Sequence, residues 1–367
     1  MYTNQSKNPK STFYMSLALK QAYKAIGNTG TNPAVGCVMV KNNSVIASGC
    51  TGLKGRPHAE QNAIYSSKKN LKNSELYVTL EPCSHQGKTP PCVNLIVKKK
   101  IKKVFFSVKD PDVRSYNKCR KKFNKTKISV SEGINKSQTG RFYRSYYKFK
   151  ADTLPFVSSK MAVSKDFFSI NKKSRWITNE YSRARGHLLR STHDCLLTSS
   201  KTVLVDNPIL NCRISGLENK SPTRIILDKN LKISLSSRIV KSAKKINTII
   251  FYNSFNQKKI KYLKKAKIKL FKIPTASKNQ FNLIYVLQKI KRLGFSRILL
   301  ESGLKLTHIF LKERLIDEFF LFISNKKIFK NGANNFGKSF KSFIKDKEKI
   351  DKQVNLFGDK LFLYRLK

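Results

Sequence analysis

Short apolar segments alternate with longer segments of helical periodicity along most of this chain, and this alternation constrains its fold more than any other feature. Residues 36–40, 76–80 and 104–108 have the length and the apolar content of buried strands. Residues 59–67 and 93–99 lie between them and have the apolar spacing of amphipathic helices. Because strands that alternate with helices form layered sheets, the sequence predicts an α/β fold.

A second series of such elements begins after Leu154-Pro155, and the length of 367 residues also suggests two domains. We place the boundary in the polar, basic stretch 137–153 and predict domains over residues 1–152 and 153–367. The Gly- and Asn-rich segment 329–343 lacks a clear period and is predicted to be a loop.

The remaining elements follow from the same patterns, with the last strand predicted to close the second sheet. The predicted elements are helices 12–26, 181–190, 283–293 and 305–313 and strands 45–47, 156–162, 194–198, 223–228, 248–252, 297–301, 317–323 and 360–366.

The balance of charge limits the function in a less direct way. Lys plus Arg number 75 and Asp plus Glu number 21, so the formal net charge is 75 − 21 = +54. A basic chain can bind nucleic acid through its phosphates. Lysine is, however, spread through every segment, including the predicted strands, and this favours a compositional background over a dedicated polyanion surface.

The chain is expected to act in the cytoplasm. No apolar run approaches the ~20 residues that span a bilayer, so we expect no association with a membrane. The apolar stretch near the N-terminus, 14–19, is shorter than the core of a secretory signal. An odd number of cysteines, seven, favours a reducing compartment in which clustered cysteines bind metal.

The sharpest chemical signal is His58-Ala59-Glu60 followed by Pro82-Cys83 and Pro91-Cys92. One His and two Cys are suitable ligands for Zn²⁺ and leave a fourth position for water. This is the signature of zinc deaminases, in which the Glu moves protons beside the metal. The pattern predicts a catalytic zinc site with Glu60 as general acid and base. A structural zinc site, with Cys50 or His85 as the fourth ligand, is the alternative.

The spacing of the two cysteines narrows the reaction. Cys83 and Cys92 enclose eight residues, 84–91, whereas nucleic-acid deaminases typically have two between their cysteines. Together with the segment 32–37 and Asp110-Pro111, residues 79–92 closely resemble the bifunctional deaminase/reductase of riboflavin biosynthesis. The resemblance extends from about Thr12 to the C-terminus.

That resemblance implies a zinc-dependent, cytidine-deaminase-like three-layer domain followed by a dihydrofolate-reductase-like α/β domain. The first would deaminate 2,5-diamino-6-(5-phosphoribosylamino)pyrimidin-4-one, with one Zn²⁺ bound by His58, Cys83 and Cys92. Asn32 and Lys88 match positions expected to contact this phosphorylated pyrimidine. Thr51 stands where the family has a His.

The second half carries further motifs of the same family: 174–178 with the sole Trp, 197–208, Arg213, and Glu301-Ser302-Gly303. They imply that NADPH reduces the ribosyl group of the deaminated product to ribityl. Two larger sets of residues follow from the resemblance. The NADPH contacts are Ala162, Trp176, Thr202, Asp206, Lys229, Gly303, Leu304, Lys305, Leu306, Thr307, His308 and Ile309. The substrate contacts are Ser174, Arg190, Leu210, Arg213 and Glu301.

The reductase half also departs from the family pattern. Phe167 stands where the family has a Gly that marks a special backbone conformation, and it is expected to distort that turn. The loop 170–173 is shorter than usual, and the glycine-rich segment is reduced to 331–337. Two alternatives to the bifunctional enzyme therefore remain: a deaminase with a degenerate reductase domain, and a nucleic-acid deaminase. The family also suggests a homo-oligomer.

Overall fold

The computed structural model describes residues 8–275 and 280–367. The chain divides between Thr153 and Leu154 into two compact units, an N-terminal and a C-terminal one. No helix among the described residues is long and apolar enough to cross a membrane.

Over residues 8–153, the N-terminal unit contains one five-stranded sheet and five α-helices. Its elements are α1 (Pro9–Ala25), β1 (Gly36–Lys41), β2 (Ser44–Cys50), α2 (Ala59–Ser66), β3 (Glu75–Leu80), α3 (Cys92–Lys98), β4 (Lys103–Val108), α4 (Lys118–Phe123), β5 (Ser129–Glu132) and α5 (Lys136–Ala151). The strand order is β2-β1-β3-β4-β5. β1 pairs with β2 and β3 in antiparallel fashion, whereas β3, β4 and β5 are parallel.

Helices cover both faces of this sheet, because successive side chains of each buried strand point to opposite sides. Cys37 and Met39 of β1 pack in the cluster that includes residues of α2 and α3. Val38 and Val40 pack in a second cluster with the Tyr14-to-Ala18 face of α1. The result is the three-layer arrangement expected from the sequence.

Helix α5 occupies most of the stretch 137–153 in which the sequence analysis expected a boundary. Its Phe142, Tyr143 and Tyr146 are buried in the core of the N-terminal unit. The three aromatic residues lie on one helical face, while the lysines and arginines elsewhere in the helix make the stretch hydrophilic on average. The helix was not predicted because its basic residues outweigh its apolar ones in the sequence.

Over residues 154–275 and 280–367, the C-terminal unit contains a nine-stranded sheet and a two-stranded sheet. Its elements are β6 (Phe156–Val163), β7 (Phe168–Asn171), α6 (Glu180–Ser191), β8 (Cys195–Ser199), α7 (Ser200–Asp206), β9 (Thr223–Leu227), α8 (Arg238–Lys241), β10 (Thr248–Tyr252), α9 (Gln257–Lys265), β11 (Lys269–Lys272), α10 (Leu283–Arg292), β12 (Arg297–Leu300), α11 (Leu304–Lys312), β13 (Glu318–Ile323), β14 (Gly332–Asn335), α12 (Gly337–Ile344), β15 (Glu348–Asp351) and β16 (Lys360–Arg365).

The large sheet has the order β11-β10-β9-β8-β12-β6-β13-β16-β15. All pairings from β11 to β13 are parallel, and β16 pairs antiparallel with both β13 and β15. The prediction that the last strand closes the sheet is wrong, since β15 lies outside it. β15 is short and largely exposed, so it carries little of the apolar pattern that identifies a strand.

The prediction of a loop over 329–343 is also wrong. β14 lies in this segment and pairs with β7, and α12 follows with Phe336 and Phe340 buried beside Phe319. The strand is too short and polar for a periodic signal. It forms because β7 supplies its pairing partners, which lie 161 to 167 residues earlier in the chain.

The turn before β7 tolerates a Phe where a Gly was expected. Phe167 has a φ of +66°, and its N–H donates to the Ser164 carbonyl over 2.9 Å. The side chain packs against the large core cluster, and the Asp166 carboxylate accepts hydrogen bonds from the N–H groups of Ile328 and Phe329. These contacts offset the roughly 1–2 kcal/mol that the left-handed conformation costs a non-glycine residue.

Candidate functional site

Three potential metal ligands meet at one end of the N-terminal sheet. His58 immediately precedes α2, Cys83 follows β3, and Cys92 is the first residue of α3. Nδ1 of His58 lies 3.4 Å from each of the two sulfur atoms, and the N–H of Cys92 lies 3.3 Å from Sγ of Cys83. The three ligand atoms all lie within 4.8 Å of one another.

The donor set fits Zn²⁺. Hydrogen bonds from Cys92 and His58 lower the pKa of the Cys83 thiol to about 4, which favours the thiolate that binds metal. Neither Cys50 nor His85 belongs to the cluster among residues 8–275 and 280–367. Nδ1 of His85 instead contacts Oγ of Ser115 at 2.9 Å. Three protein ligands without a fourth are the pattern of a catalytic zinc site.

Glu60 lies in the first turn of α2, two residues after His58. Its side chain is 4% exposed, and burial, followed by the negative charge of Cys83, raises its pKa to about 7. A carboxyl group with a pKa near neutrality can both accept and donate a proton at physiological pH. The structure therefore gives Glu60 the properties of the general acid and base that the motif predicts.

The segment that carries Asn32 is fixed from two sides. Oγ1 of Thr51 accepts a hydrogen bond from the N–H of Val35 over 2.8 Å and donates to the Pro33 carbonyl over 3.0 Å. The hydroxyl of Tyr143 donates to the Ala34 carbonyl over 3.1 Å. The Thr51 hydroxyl thus binds the backbone, and the residue as a whole is 5% exposed. Asn32 itself is half-buried beside Gly55.

Tyr143 was not identified from the sequence as part of this region. Its hydroxyl lies 2.7 Å from Oγ1 of Thr79, which in turn accepts a hydrogen bond from the N–H of Gly36. The phenol therefore joins α5 to β3 and to the segment of Asn32. A tyrosine on a helical face predicts burial, but its partners lie 64 and 109 residues away and leave no local signal.

In the C-terminal unit, predicted NADPH contacts collect at the carboxyl ends of adjacent parallel strands. Ala162 lies near the end of β6, Thr202 and Lys229 follow β8 and β9, and Gly303 follows β12. Ligands of open α/β sheets bind at this edge. The sequence motifs are far apart along the chain, and the sheet order β9-β8-β12-β6 makes their strands neighbours.

Gly303 is the N-cap of α11. Apart from its two chain neighbours, no heavy atom of the described residues lies within 4 Å of the position that a Cβ would occupy there. An open helix N-terminus with a glycine suits an anionic group such as a cofactor phosphate. The predicted contacts along α11 differ in accessibility. Lys305 is exposed, Leu304, Leu306, His308 and Ile309 are half-buried, and Thr307 is fully buried, with Oγ1 3.1 Å from Oγ of Ser302.

Trp176, Ser174 and Asp206 are all exposed. The guanidinium groups of Arg175 and Arg183 lie 5.1 and 4.6 Å from the centre of the Trp176 ring. Nη2 of Arg175 also donates to the Asp206 carbonyl over 3.2 Å, which links the two predicted cofactor contacts. An exposed ring between two cations is suited to contact an anionic, aromatic ligand.

Two of the predicted substrate contacts form an ion pair whose side chains are only 15% and 12% exposed. Nε and Nη2 of Arg190 lie 2.9 and 2.7 Å from the carboxylate oxygens of Glu301, and Nη1 donates to the Asn211 carbonyl over 3.0 Å. Arg190 is therefore already paired. Arg213 is exposed and has no carboxylate partner among the described residues, which leaves it better suited to a phosphate.

Lys160, in the middle of β6, is a further member of this cluster that the sequence analysis missed. Burial lowers the pKa of Lys160, and the Glu301 carboxylate opposes that shift while Arg190 adds to it. A lysine within an apolar strand was the available signal, but the abundance of lysine in the chain obscured it. Leu210 is placed differently: it has a φ of +58° and its side chain packs in the core.

Lys88 lies in the segment between Cys83 and Cys92 and is exposed. Asp110, from the matching Asp-Pro pair, is buried, and burial raises its pKa to about 6. It accepts a hydrogen bond from the Tyr146 hydroxyl over 3.0 Å. This pair therefore anchors α5 to the loop after β4.

Both units match known families. Residues 9–108 match the cytidine and deoxycytidylate deaminase zinc-binding region, and residues 155–329 match the RibD C-terminal domain.

Relatives match over nearly the whole chain. The chain is 31% identical over 353 residues to riboflavin biosynthesis protein RibD of Aquifex aeolicus, which covers 96% of this chain and 97% of the relative. It is 31% identical to RibD of Actinobacillus pleuropneumoniae, over 89% of this chain and 86% of the relative. A crystal structure of a diaminohydroxyphosphoribosylaminopyrimidine deaminase/5-amino-6-(5-phosphoribosylamino)uracil reductase from Thermotoga maritima superposes with a TM-score of 0.83 at 29% identity, over 97% of this chain and 98% of that one.

Proposed function

Because this chain belongs to the family of riboflavin biosynthesis protein RibD, we propose that it catalyses two steps of riboflavin biosynthesis. The first is the zinc-dependent hydrolytic deamination of 2,5-diamino-6-(5-phosphoribosylamino)pyrimidin-4-one. The second is the NADPH-dependent reduction of the ribosyl group of the product to ribityl. The observation that carries this proposal is the His-Cys-Cys cluster beside a buried glutamate, in one chain with the reductase unit of the family.

Several predictions from the sequence are confirmed by the matches. The family, the α/β fold class with a deaminase unit before a reductase unit, and the bifunctional enzyme are confirmed. Zn²⁺ and NADPH are confirmed as the cofactors of these two domain types. The roles of individual residues and the domain bounds 1–152 and 153–367 stay predictions.

In the deamination, Zn²⁺ bound by His58, Cys83 and Cys92 would supply the Lewis acid that activates water. Glu60 accepts one proton from the attacking water and delivers it to the ring nitrogen. It then transfers a second proton, from the hydroxyl group left on the ring carbon, to the amino group, which departs as ammonia. Its pKa of about 7 suits both transfers. Asn32, on a segment fixed by Thr51 and Tyr143, contacts the pyrimidine.

In the reduction, NADPH supplies the hydride and the protein orients the ribosyl carbon toward it. Glu301 and Lys160 supply polar groups to the substrate site, and Arg190 is hydrogen-bonded to Glu301. Arg213, which has no acidic partner, binds the phosphate of the substrate. Trp176 and the N-terminus of α11 contact the cofactor.

The substrate is a phosphorylated pyrimidine, as in the related enzymes. We propose in addition that the enzyme is a homo-oligomer, uses no nucleic-acid substrate and acts in the cytoplasm. The seven cysteines are all free, which suits a reducing compartment.

The experiment that tests the function is mass spectrometry of the product formed with and without NADPH. We expect loss of the ring amino group in both reactions and a further gain of two hydrogens only with NADPH. Glu60→Gln should retain one zinc per chain and lose deamination by at least ~100-fold, since general acid–base catalysis contributes about 10²–10⁴. An active Glu60→Gln enzyme would refute the role of Glu60.

The same measurement decides the alternative of a degenerate reductase. A degenerate reductase would deaminate the first substrate but would not oxidise NADPH when the deaminated product is supplied directly. That result would support a reductase unit kept only for stability. The intact Arg190–Glu301 pair and the open N-terminus of α11 support an active reductase. Absence of deamination in single-stranded RNA and DNA would dismiss the nucleic-acid deaminase.

A further inference from the structure

Arg56 is a cation without an acidic partner beside the proposed metal site. It lies two residues before His58 and is half-buried. Its Nη1 donates a hydrogen bond to Oγ1 of Thr89, in the segment between Cys83 and Cys92. No ion pair of Arg56 occurs within the described part of the chain, so most of its N–H donors are available to a ligand.

Gly87 leaves a gap next to this guanidinium. A Cβ at Gly87 would lie 3.4 Å from Nη2 of Arg56 and 3.9 Å from Nε2 of His85. The other ring nitrogen of His85 is occupied by Ser115, so Nε2 is the nitrogen that borders the gap. Nitrogen atoms from two different segments therefore border a space that the glycine leaves unfilled.

Lys88 follows Gly87 directly and is exposed, and the described residues include no acidic partner for it. Arg56 and Lys88 thus place two uncompensated positive charges on adjoining segments. Arg56 is also immobilised by Thr89, unlike a lysine that extends freely into solvent. An exposed lysine side chain elsewhere on the surface would not be held in one position in this way.

We propose that Arg56, together with Lys88, binds the phosphate of the deaminase substrate beside Gly87, and that Arg56 sets the preference for a phosphorylated substrate. This inference rests on the proposed function. A phosphate monoester carries nearly two negative charges at neutral pH and accepts paired hydrogen bonds from a guanidinium. Thr51 cannot share this task, because its hydroxyl is occupied by the backbone of Pro33 and Val35.

The first test compares the phosphorylated substrate with its dephosphorylated form in the zinc-loaded, full-length enzyme. Arg56→Gln should raise KM for the phosphorylated substrate by about 10- to 100-fold, the range expected for loss of a charge-assisted pair. Deamination of the dephosphorylated substrate should be unchanged. A structural role of Arg56 would instead impair both substrates equally and overturn the proposal.

Gly87→Ala provides an independent test that leaves every charge in place. The contacts of the added methyl group, at 3.4 and 3.9 Å, are ordinary van der Waals distances, so the variant should fold. The methyl group occupies the proposed phosphate position, and KM should again rise only for the phosphorylated substrate. An unchanged preference in both Gly87→Ala and Arg56→Gln would refute the site.

Lys54→Asn is the matched control. Lys54 is exposed in the same loop and has a φ of 56°, which Asn tolerates, so this variant removes one nearby charge without strain. We expect its KM values to equal those of the wild type. If the wild type deaminates neither substrate, the proposed function fails. If it deaminates both without preference, only the phosphate site fails.

Discussion

At the scale of single residues, the C-terminal unit buries charged groups whose partners are distant in sequence. Arg190 and Glu301 are 111 residues apart, and both Lys160 and His187 lie close enough to influence the pKa of Glu301. Breaking one member of such a pair leaves an uncompensated buried charge, which costs roughly 3–5 kcal/mol. The cluster therefore constrains stability as well as the reductase site.

His193 allows a prediction about pH. It is 1% exposed, its Nδ1 lies 2.6 Å from the Leu189 carbonyl, and its Nε2 lies 2.9 Å from Oγ of Ser158. Burial, followed by the charge of Arg297, lowers the pKa of His193 well below 6.5. Below pH 6.5 the unfolded chain therefore binds a proton that the folded chain does not.

We expect this histidine to reduce the free energy of unfolding by up to about 1.4 kcal/mol per pH unit as the pH falls below 6.5. The measurement is urea unfolding between pH 7.5 and 5, followed by fluorescence of Trp176, the sole tryptophan, which lies in the same unit. His193→Gln should be less stable at pH 7.5 and show a shallower decline. Parallel pH curves for variant and wild type would contradict the assignment.

The zinc cluster was predictable because each ligand belongs to a short local motif: His58-Ala59-Glu60, Pro82-Cys83 and Pro91-Cys92. Only a few residue types bind zinc, so the motif can be recognised even in a lysine-rich chain. Lys160 and Tyr143 were not predictable, since their roles depend on partners that only the tertiary structure supplies.

At the scale of elements, long and periodic segments were predicted well, and short or polar ones were missed. The strand predicted over 248–252 has the bounds of β10, and the helix predicted over 283–293 corresponds to α10. β14 and β15 have few buried side chains, and α5 is rich in basic residues. Their stability comes from pairing and packing that local patterns do not encode.

Helix α6 carries Arg190 and begins with an N-cap that makes two kinds of contact. Oδ1 of Asn179 accepts from the N–H of Ser182 over 2.9 Å, and its Nδ2 donates to the Leu356 carbonyl over 2.5 Å. Asn179→Ala removes both. We expect it to lower the free energy of unfolding by about 2–3 kcal/mol, from about 1 for the cap and 1–2 for the half-buried contact.

The matched control is Asn256→Ala, which removes the exposed N-cap of α9, where Oδ1 accepts from the N–H of Lys259 over 2.9 Å. Only the cap is lost there, so the cost should be about 1 kcal/mol or less. Urea unfolding followed by Trp176 fluorescence measures both variants. Equal losses would mean that the contact with Leu356 contributes nothing.

At the scale of the whole molecule, the +54 charge is even less balanced at the surface than the composition suggests. Many of the 21 acidic residues are buried and serve internal contacts. The buried ones include Glu60, Glu81, Asp110, Asp112, Asp228, Asp317, Glu318 and Asp359. Most lysines are exposed, so few carboxylates remain to screen them. The positive field can assist the capture of anionic substrates, but it also opposes compaction of the chain.

We therefore expect sodium chloride to raise the melting temperature. Between 0.1 and 1 M salt the Debye length falls from about 10 to about 3 Å, which screens repulsion between exposed lysines. A variant with Lys98, Lys121 and Lys125 each changed to Gln tests the cause, because these residues border one open groove beside α3 and α4. Gln suits a helix about as well as Lys at positions 98 and 121, and Lys125 lies in the turn after α4. Calorimetry should show a higher melting temperature than the wild type at 0.1 M salt and convergence at 1 M. A melting temperature that falls with salt, or a variant equal to the wild type at 0.1 M, would show that self-repulsion does not limit the stability of this fold.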